Sequence, residues 1–585
     1  MKKVKLKIDG KEIIVNSNMT IMEAAQTVGI HIPRLCYHPH LSIEGACRVC
    51  IVQVKGYEYF ITSCSFKVED NMEVETNSPE VRQARRDIVE LILDNHPREC
   101  QICERDTMCE LQKLAYSLGI RERYFEGERK RYKLEDSSKA VIRNPEKCIL
   151  CGRCVRVCSE IQGVYNLSQH YRGFSTIVTP AFSANMDDSV CIQCGQCINV
   201  CPTAAFLEKK HTDRVWEALN DKNKYVVVQT APSIRAAIGE DFEYPPGTDC
   251  TGKMITAFKK LGFDAVFDTN IGADFTIVEE SNELINRLKD KKKLPLITSC
   301  SPGWINFMEK FYPELIENTS SCKSPMSMVS TLTKTYYSKK INRDPKDIFV
   351  VAIMPCVAKK FEMDRKELML DNIKLTDAVL TTREATWMIK SYGIDFKRLE
   401  DGEFDSPLGE STGAGDIFGT TGGVMEATLR TAAEVITGKI LKDEDIEFRE
   451  VRAVEGRRER EVIIEDIKLS VAIANGLVNA KYILDKVVKK EKEFHVIEIM
   501  ACPGGCIGGG GQPYPNDPYI FLDTNLLAKR AKVLYSIDKK KKYRTSKDNP
   551  SIKKIYEEFL EKPGSNIAKK LLHTRYSPKY PRGIR

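Results

Sequence analysis

Two copies of one cysteine spacing constrain this chain more than anything else in it. Cys148, Cys151, Cys154 and Cys158 form a C-x2-C-x2-C-x3-C run, and Cys191, Cys194, Cys197 and Cys201 repeat it, with Pro202 directly after. Eight cysteines at those intervals are metal ligands, not a chance pattern. The chain has 21 cysteines, an odd number, and most come in Cys-x-x-Cys groups. The N-terminal residues carry no apolar signal-peptide core, so the chain reads as a cytoplasmic protein, where disulfides are rare. Metal ligation therefore outranks disulfide pairing.

In a bacterial two-cluster ferredoxin fold, the fourth cysteine of each run ligates the other cluster. Cys148, Cys151, Cys154 and Cys201 are expected to hold one [4Fe–4S] cluster. Cys191, Cys194, Cys197 and Cys158 are expected to hold the other. Two further groups precede them. Cys36, Cys47, Cys50 and Cys64 follow a C-x10-C-x2-C-x13-C spacing in a small β-rich unit that opens with a hairpin around Asp9-Gly10. Four thiolates with one close pair suit a [2Fe–2S] cluster, with zinc as the bland alternative. An amphipathic helix over 79–95 then leads into His96-x3-Cys100-x2-Cys103-x5-Cys109. One imidazole and three thiolates can hold zinc or a [4Fe–4S] cluster. Residues 120–140 are strongly charged and read as an exposed connector. Four successive centres in one chain make an electron path.

After His211 the pattern becomes α/β. Short apolar runs beginning at Tyr225, Ala265, Leu294, Ile348, Ala378, Val471 and Val496 alternate with helix-like segments, which predicts parallel sheets covered on both faces. Ligands in such folds bind beyond the carboxyl ends of strands. Those ends carry Ala231-Pro232-Ser233, Thr298 to Trp304, Met354 to Lys360, and Cys502 and Cys506, which precede the glycines Gly508 to Gly511. The glycines are expected to allow close backbone approach and positive φ. With 585 residues, 42% of them hydrophobic, several cores are available. A net charge of +7 among 29% charged residues is no nucleic-acid signature, and no apolar run reaches membrane-spanning length. The lysine-rich segment from Asp538 to Arg544 reads as a solvated tail.

The segments Thr298–Trp304, Met354–Glu362 and Glu498–Gln512 resemble the three signature loops of [FeFe]-hydrogenases. The upstream cysteine groups resemble those of the large, ferredoxin-wired members, and large respiratory complex I subunits share only that N-terminal part. The resemblance implies reversible reduction of protons to H2 at an H-cluster, a [4Fe–4S] cubane joined through a cysteine sulfur to a two-iron unit carrying CO, cyanide and azadithiolate. It puts Cys356, Cys502 and Cys506 at cubane corners, with Cys506 also the bridge. It puts Pro232, Ser233 and Lys359 against the cyanides, and Met354, Phe418 and Met500 in apolar walls, where plain core packing is the bland alternative. A buried lysine facing an anion is a paired charge, which suits Lys359.

One departure stands out. The family has two adjacent cysteines in its first loop, a proton relay and the fourth cubane ligand. This chain has Cys300-Ser301, so alignment puts Cys300 on the relay and Ser301, a harder oxygen ligand, on the corner. A shifted loop with Cys300 as ligand, or an open corner, stays possible. Met326 stands where the family often has Gln, and Cys322 is an extra thiol. Glu280, Glu283 and Arg287 share a helix face, and with Ser320 they match the family's proton route to Cys300.

The implied architecture is multidomain α+β and α/β: a β-grasp [2Fe–2S] domain (1–78), a His/Cys3 [4Fe–4S] domain (79–140), a two-cluster ferredoxin domain (141–210), and an α/β H-cluster domain with two parallel-type sheets (211–585). Lacking a G-x-G-x-x-G fingerprint, the chain is expected to exchange electrons with ferredoxin or with partner subunits that oxidise NAD(P)H, and to need maturation proteins for the two-iron unit. The alternative is a relative with an impaired H-cluster that serves in sensing, iron–sulfur assembly or electron transfer.

Overall fold

The computed structural model describes residues 2–122, 125, 127–439, 441, 446–453 and 456–580. The N-terminal sheet orders its strands Lys11–Asn16, Lys3–Ile8, Glu73–Glu75, Ile51–Val54 and Ile61–Thr62. Strict alternation along Lys3–Ile8 sends Val4, Leu6 and Ile8 inward. The turn between the first two strands puts both Asp9 (φ 46°) and Gly10 (φ 76°) in the left-handed region, the geometry that closes a two-residue hairpin. Thr20 caps the helix Ile21–Thr27 with a full capping box from Glu23.

The helix Pro79–Asp94 starts on Ser78, whose hydroxyl accepts the Val81 amide, with proline at the first helical position. Its buried Arg85 donates to the carbonyls of Val49, Ile51 and Thr76, tying the helix to the sheet. The charged stretch 120–140 is not simply exposed. Arg123, Tyr124 and Glu126 lie outside the described residues, but Glu135 bridges to Arg143, and Ser138 and Ala140 are fully buried. Charge in this segment finds partners in the ferredoxin-like unit, which composition alone does not reveal.

Beyond residue 211 each of the seven apolar runs contains a strand. One sheet is fully parallel: Ala265–Asp268, Tyr225–Thr230, Ile348–Met354, Ala378–Thr381. The other orders Leu296–Ile297, Val496–Met500, Ile467–Asn475 and Arg457–Ile464. Its last pair is antiparallel, so this sheet is mixed where a parallel one was expected. The missed edge strand, Arg457–Ile464, begins Arg-Arg-Glu-Arg-Glu, and charge on an exposed edge hides the strand signal while it blocks edge pairing. Central strands are buried along nearly their whole length, Val496–Met500 completely. Each buried valine or isoleucine contributes about 1.5–3 kcal/mol.

The C-terminal helices fold back over this body. Leu527 and Leu534 of the helix Thr524–Lys540 pack with Ile507, and Leu571 and Leu572 pack with Phe275 and Cys322. The lysine-rich segment is therefore not a free tail. Asp538 is 1% exposed and pairs with Arg430 and Arg544.

Candidate metal centre

The carboxyl ends of both sheets meet. Ile348–Met354 delivers Cys356, Val496–Met500 delivers Cys502 and Cys506, and Leu296–Ile297 delivers Cys300 and Ser301. Cys356 sits close enough to raise the pKa of both Cys502 and Cys506, on top of the larger effect of burial, and Cys506 reaches about 12. The glycine run packs rather than bends. A Cβ on Gly509 would stand 2.2 Å from the Pro355 carbonyl, one on Gly510 2.5 Å from the Cys194 carbonyl, and one on Gly508 2.1 Å from the Pro503 carbonyl. Positive φ was expected there, but it falls earlier, at Gly504 (72°) and Gly505 (87°), inside the Cys502–Cys506 loop.

The first loop turns its two neighbours apart. Cys300 packs with Phe418, Met500, Ala273 and Ile277. Burial pushes its thiol well above the usual range, helped by the charges of Cys506 and Glu280 and opposed by Lys359. Ser301 stands at the N-cap of the helix Pro302–Phe311 yet makes no capping bond. Its hydroxyl instead accepts the Ala501 amide at 3.3 Å, beside Cys502.

Pro232 and Ser233 follow the strand Tyr225–Thr230, and a Cβ on Gly419, next to Phe418, would stand 3.4 Å from the side chain of each. Met354 packs elsewhere, with Met326. Lys359 is buried and already has partners: Glu362 at 2.6 Å, the Ser324 hydroxyl at 2.8 Å and the Cys300 carbonyl at 3.3 Å. Three contributors escaped the sequence reading. Gln512 donates to the carbonyl of Cys506 and to Ser233. Gln196 lies against Cys502, and Glu362 holds Lys359. Their signal was one of place alone: Gln196 lies inside the second cysteine run, and Glu362 and Gln512 close two of the signature segments.

Behind Cys300 the acids line up. Glu280 is fully buried, with neither oxygen in a hydrogen bond of good geometry. Burial raises its pKa to about 8, against a lowering influence from Ser320, while Glu283 adds to the rise. Ser320 donates to Glu283 at 3.1 Å. Glu283 pairs with Arg287, which also donates to the carbonyls of Asn318 and Lys293. Cys322 is buried beside this chain of groups, its thiol pushed up by burial and then by Glu283.

The N-terminal cysteines gather likewise. Cys148, Cys151, Cys154 and Cys201 line one small cavity. His96, Cys100, Cys103 and Cys109 line another. His96 Nδ1 is buried without a partner, and burial, then Lys147 and Arg129, lower its pKa to about 4, leaving a neutral imidazole. Cys36 lies against Cys47, and Cys50 against Cys64. Cys158 feels the charge of Cys191, and Cys197 that of Cys194, Cys191 and Cys158. The two repeats share a backbone: Leu150 (φ 54°) and Gly152 (70°) match Gln193 (59°) and Gly195 (76°). This curl points the Leu150 and Gln193 amides at Cys148 and Cys191 sulfur, each at 3.4 Å. Among the described residues no three His, Cys, Asp or Glu side chains close on a point that holds one metal ion. A cluster of several irons spreads its ligands further apart.

The path between these groups is branched, not a single file. Arg156 donates to the carbonyls of both Cys36 and Cys151, and Lys147, next to Cys148, reaches Cys103 sulfur at 3.5 Å. Both N-terminal groups thus abut the same ferredoxin-like site. At the far end, Cys194 feels the charge of Cys502.

Such a fold, with thiol groups leading to a buried strand-end centre, defines an iron–sulfur redox enzyme. The description "iron only hydrogenase large subunit, C-terminal domain" matches residues 224–510, and "iron hydrogenase small subunit" matches 524–579. Upstream, a 2Fe-2S binding domain matches 1–79, an NADH-ubiquinone oxidoreductase-G iron-sulfur binding region 85–123, and a 4Fe-4S dicluster domain 147–205. The chain belongs to the iron-only, or [FeFe]-, hydrogenase family. It is 46% identical to the NADP-reducing hydrogenase subunit HndD of Solidesulfovibrio fructosivorans, over 98% of this chain and 99% of that one. It is 41% identical to iron hydrogenase 1 of Clostridium pasteurianum, over 97% and 99%. A solved structure described as revealing stepwise [FeFe]-hydrogenase H-cluster assembly superposes with a TM-score of 0.54 at 39% identity, covering 62% of this chain and 98% of the other.

Proposed function

We propose that this protein interconverts protons and electrons with H2 at an H-cluster held by Cys356, Cys502 and Cys506, with Ser301 at the fourth corner. The observation that carries the proposal is the meeting of those three thiols beneath Cys300, which heads the buried line of Glu280, Ser320, Glu283 and Arg287. The donors fit the group: three soft thiolates, one hydroxyl, and a backbone packed without room for a Cβ. When bound, the cluster supplies the metal site at which protons are reduced.

The chain supplies the rest. Lys359 holds a positive charge against the anionic side of the site. Pro232, Ser233 and Gln512 shape that side, and Phe418 and Met500 keep water out. The Cys300 thiol stays protonated at neutral pH and so presents a proton. Glu280, with a pKa raised to about 8, takes up and releases protons near neutrality. Glu283 and Arg287 open the route to solvent.

The N-terminal cysteines and His96 would hold one [2Fe–2S] and three [4Fe–4S] clusters, which would supply electron transfer to the strand-end centre. Ferredoxin, or partner subunits that oxidise NAD(P)H, exchange electrons with these clusters; the similarity to an NADP-reducing hydrogenase subunit supports a multisubunit setting. Among the described residues no helix is long and apolar enough to cross a membrane, and we place the protein in the cytoplasm.

The test is anaerobic maturation with a two-iron precursor, followed by H2 evolution from a reduced carrier and infrared spectroscopy of CO and cyanide. H2 and the bands are expected, and Cys300→Ala is expected to lose most turnover and keep the bands. Absence of both from the wild type would instead favour an assembly or sensing role.

A further inference from the structure

A solvent-open cavity of about 740 Å3 lies at the outer end of the acid line. Glu283 and Arg287 border it from the helix Asn270–Asp290, and Ser321 and His573 border it from the other side. His573 is pinned there. Its segment forms an antiparallel bridge with Cys322, the Lys323 amide donating to the Leu572 carbonyl and the Thr574 amide to the Ser321 carbonyl, each at 2.8 Å. Both ring nitrogens are engaged, Nε2 with Glu279 at 3.0 Å and Nδ1 with the Ser321 hydroxyl at 2.8 Å. Glu279 also accepts the Tyr556 hydroxyl and the Gly564 amide. The Ser321 amide donates to the same Glu283 oxygen that accepts Ser320.

The proposed relay has an outer end that is poor at collecting protons, because Glu283 is committed to Arg287. Imidazole ordinarily charges between pH 5 and 8. With Nε2–H bonded to Glu279, neutral His573 accepts the Ser321 proton at Nδ1. Once protonated, it donates at both nitrogens, and the Ser321 hydroxyl must turn its own proton away. We propose that His573 is the proton-loading residue of this relay. A hydrated proton of the cavity reaches Nδ1 through the Ser321 hydroxyl, whose oxygen accepts it as its own proton moves to the ring. His573 hands that proton back to Ser321, whose own hydroxyl proton passes to the Glu283 carboxylate, directly or through one water. The charged and titratable groups around it and its cavity are Glu279, Glu283, Arg287 and Asp290 on the long helix, Lys292 and Lys293 just after it, Cys322 and Lys323 on the bridged segment, Tyr556, and Lys569 and Arg575 on its own side.

The inference rests on the proposed hydrogenase function, and the experiment separates the two. H2 evolution by the matured holoenzyme is followed against pH for the wild type, His573→Gln, His573→Ala and Ser321→Ala, with infrared bands and thermal midpoints recorded on each. His573→Gln is expected to lose roughly tenfold in rate near neutrality, less than a directly acting acid gives because water also reaches Glu283. It should also lose the imidazole limb of the pH profile. Added imidazole should restore rate to His573→Ala, since the cavity admits it. Should a His573 variant fail to fold, Ser321→Ala carries the test with the same expected loss. An active wild type whose variants keep its rate and pH profile, without imidazole rescue, overturns the inference alone. A wild type with neither bands nor H2 overturns both.

Discussion

Cys300 and Ser301 are adjacent, and the loop sends them to opposite sides. Cys300 enters the apolar wall of Phe418 and Met500, and Ser301 forgoes its helix cap to meet the Ala501 amide. That geometry supports the register in which Ser301 takes the cubane corner. With the cubane alone loaded, Mössbauer spectra of the wild type should show one iron distinct from three. Ser301→Cys should remove the distinction, and Ser301→Ala should leave one iron labile. Identical spectra for all three would contradict the assignment. Glu280 offers a second residue-scale test. Its carboxyl stays neutral in the folded protein up to about pH 8 and ionises near 4.5 in the unfolded chain. The folded state therefore holds one proton more across that window, and rising pH removes stability. Glu280→Gln should narrow the gap between thermal midpoints measured at about pH 5 and pH 8. An unchanged gap would mean the carboxyl is solvated. The residue types of this site were legible because cysteines, a buried lysine and spaced acids are chemically conspicuous. Gln512, Glu362 and His573 were not, because a glutamine, one glutamate among many and a late histidine acquire meaning only through tertiary contact.

Among the elements, parallel strands were the most readable, because strands covered on both faces are apolar throughout. The edge strand Arg457–Ile464 and the glycine run were misjudged, the second only in part. Edge charges masked a strand, and the four glycines make the close backbone approach expected of them but none has the positive φ. Their lack of a Cβ lets the Cys502–Cys506 loop press against Pro355 and Cys194. Gly510→Ala puts a methyl 2.5 Å from the Cys194 carbonyl, so loop or ferredoxin-like unit must shift. The expected result is weakened magnetic coupling between the neighbouring clusters by electron paramagnetic resonance, with both still present. Unaltered coupling would show that the contact has slack. Glu498 illustrates what pattern cannot supply. The N-cap Gly422 has no side chain, and the buried Glu498 carboxylate, on a strand, accepts the Gly422 and Met425 amides of the helix Gly423–Thr437. Two such donors left unmet would cost about 1–3 kcal/mol each.

For the whole molecule, the cysteine spacings supplied the inventory of candidate clusters but not their connection. Sequence order suggests a single file. Arg156 and Lys147 instead bring both N-terminal groups to the same ferredoxin-like site, and Cys194 and Gly510 join that unit to the strand-end centre. The two N-terminal groups are thus two inlets, and the strand-end centre one outlet, of the proposed electron path. The inlets depend on contacts between residues 120 and 44 positions apart, which spacing within each cysteine group does not encode. The central claim is that H2 chemistry at the strand ends is wired to the N-terminal third. Its most direct test is exposure of the anaerobic, matured protein to H2 alone, with the N-terminal clusters watched by electron paramagnetic resonance. The account predicts that H2 reduces them without any mediator, and only when the two-iron unit is present. Signals that stay silent under H2 while the CO and cyanide bands are present, or that appear equally without the two-iron unit, would contradict it.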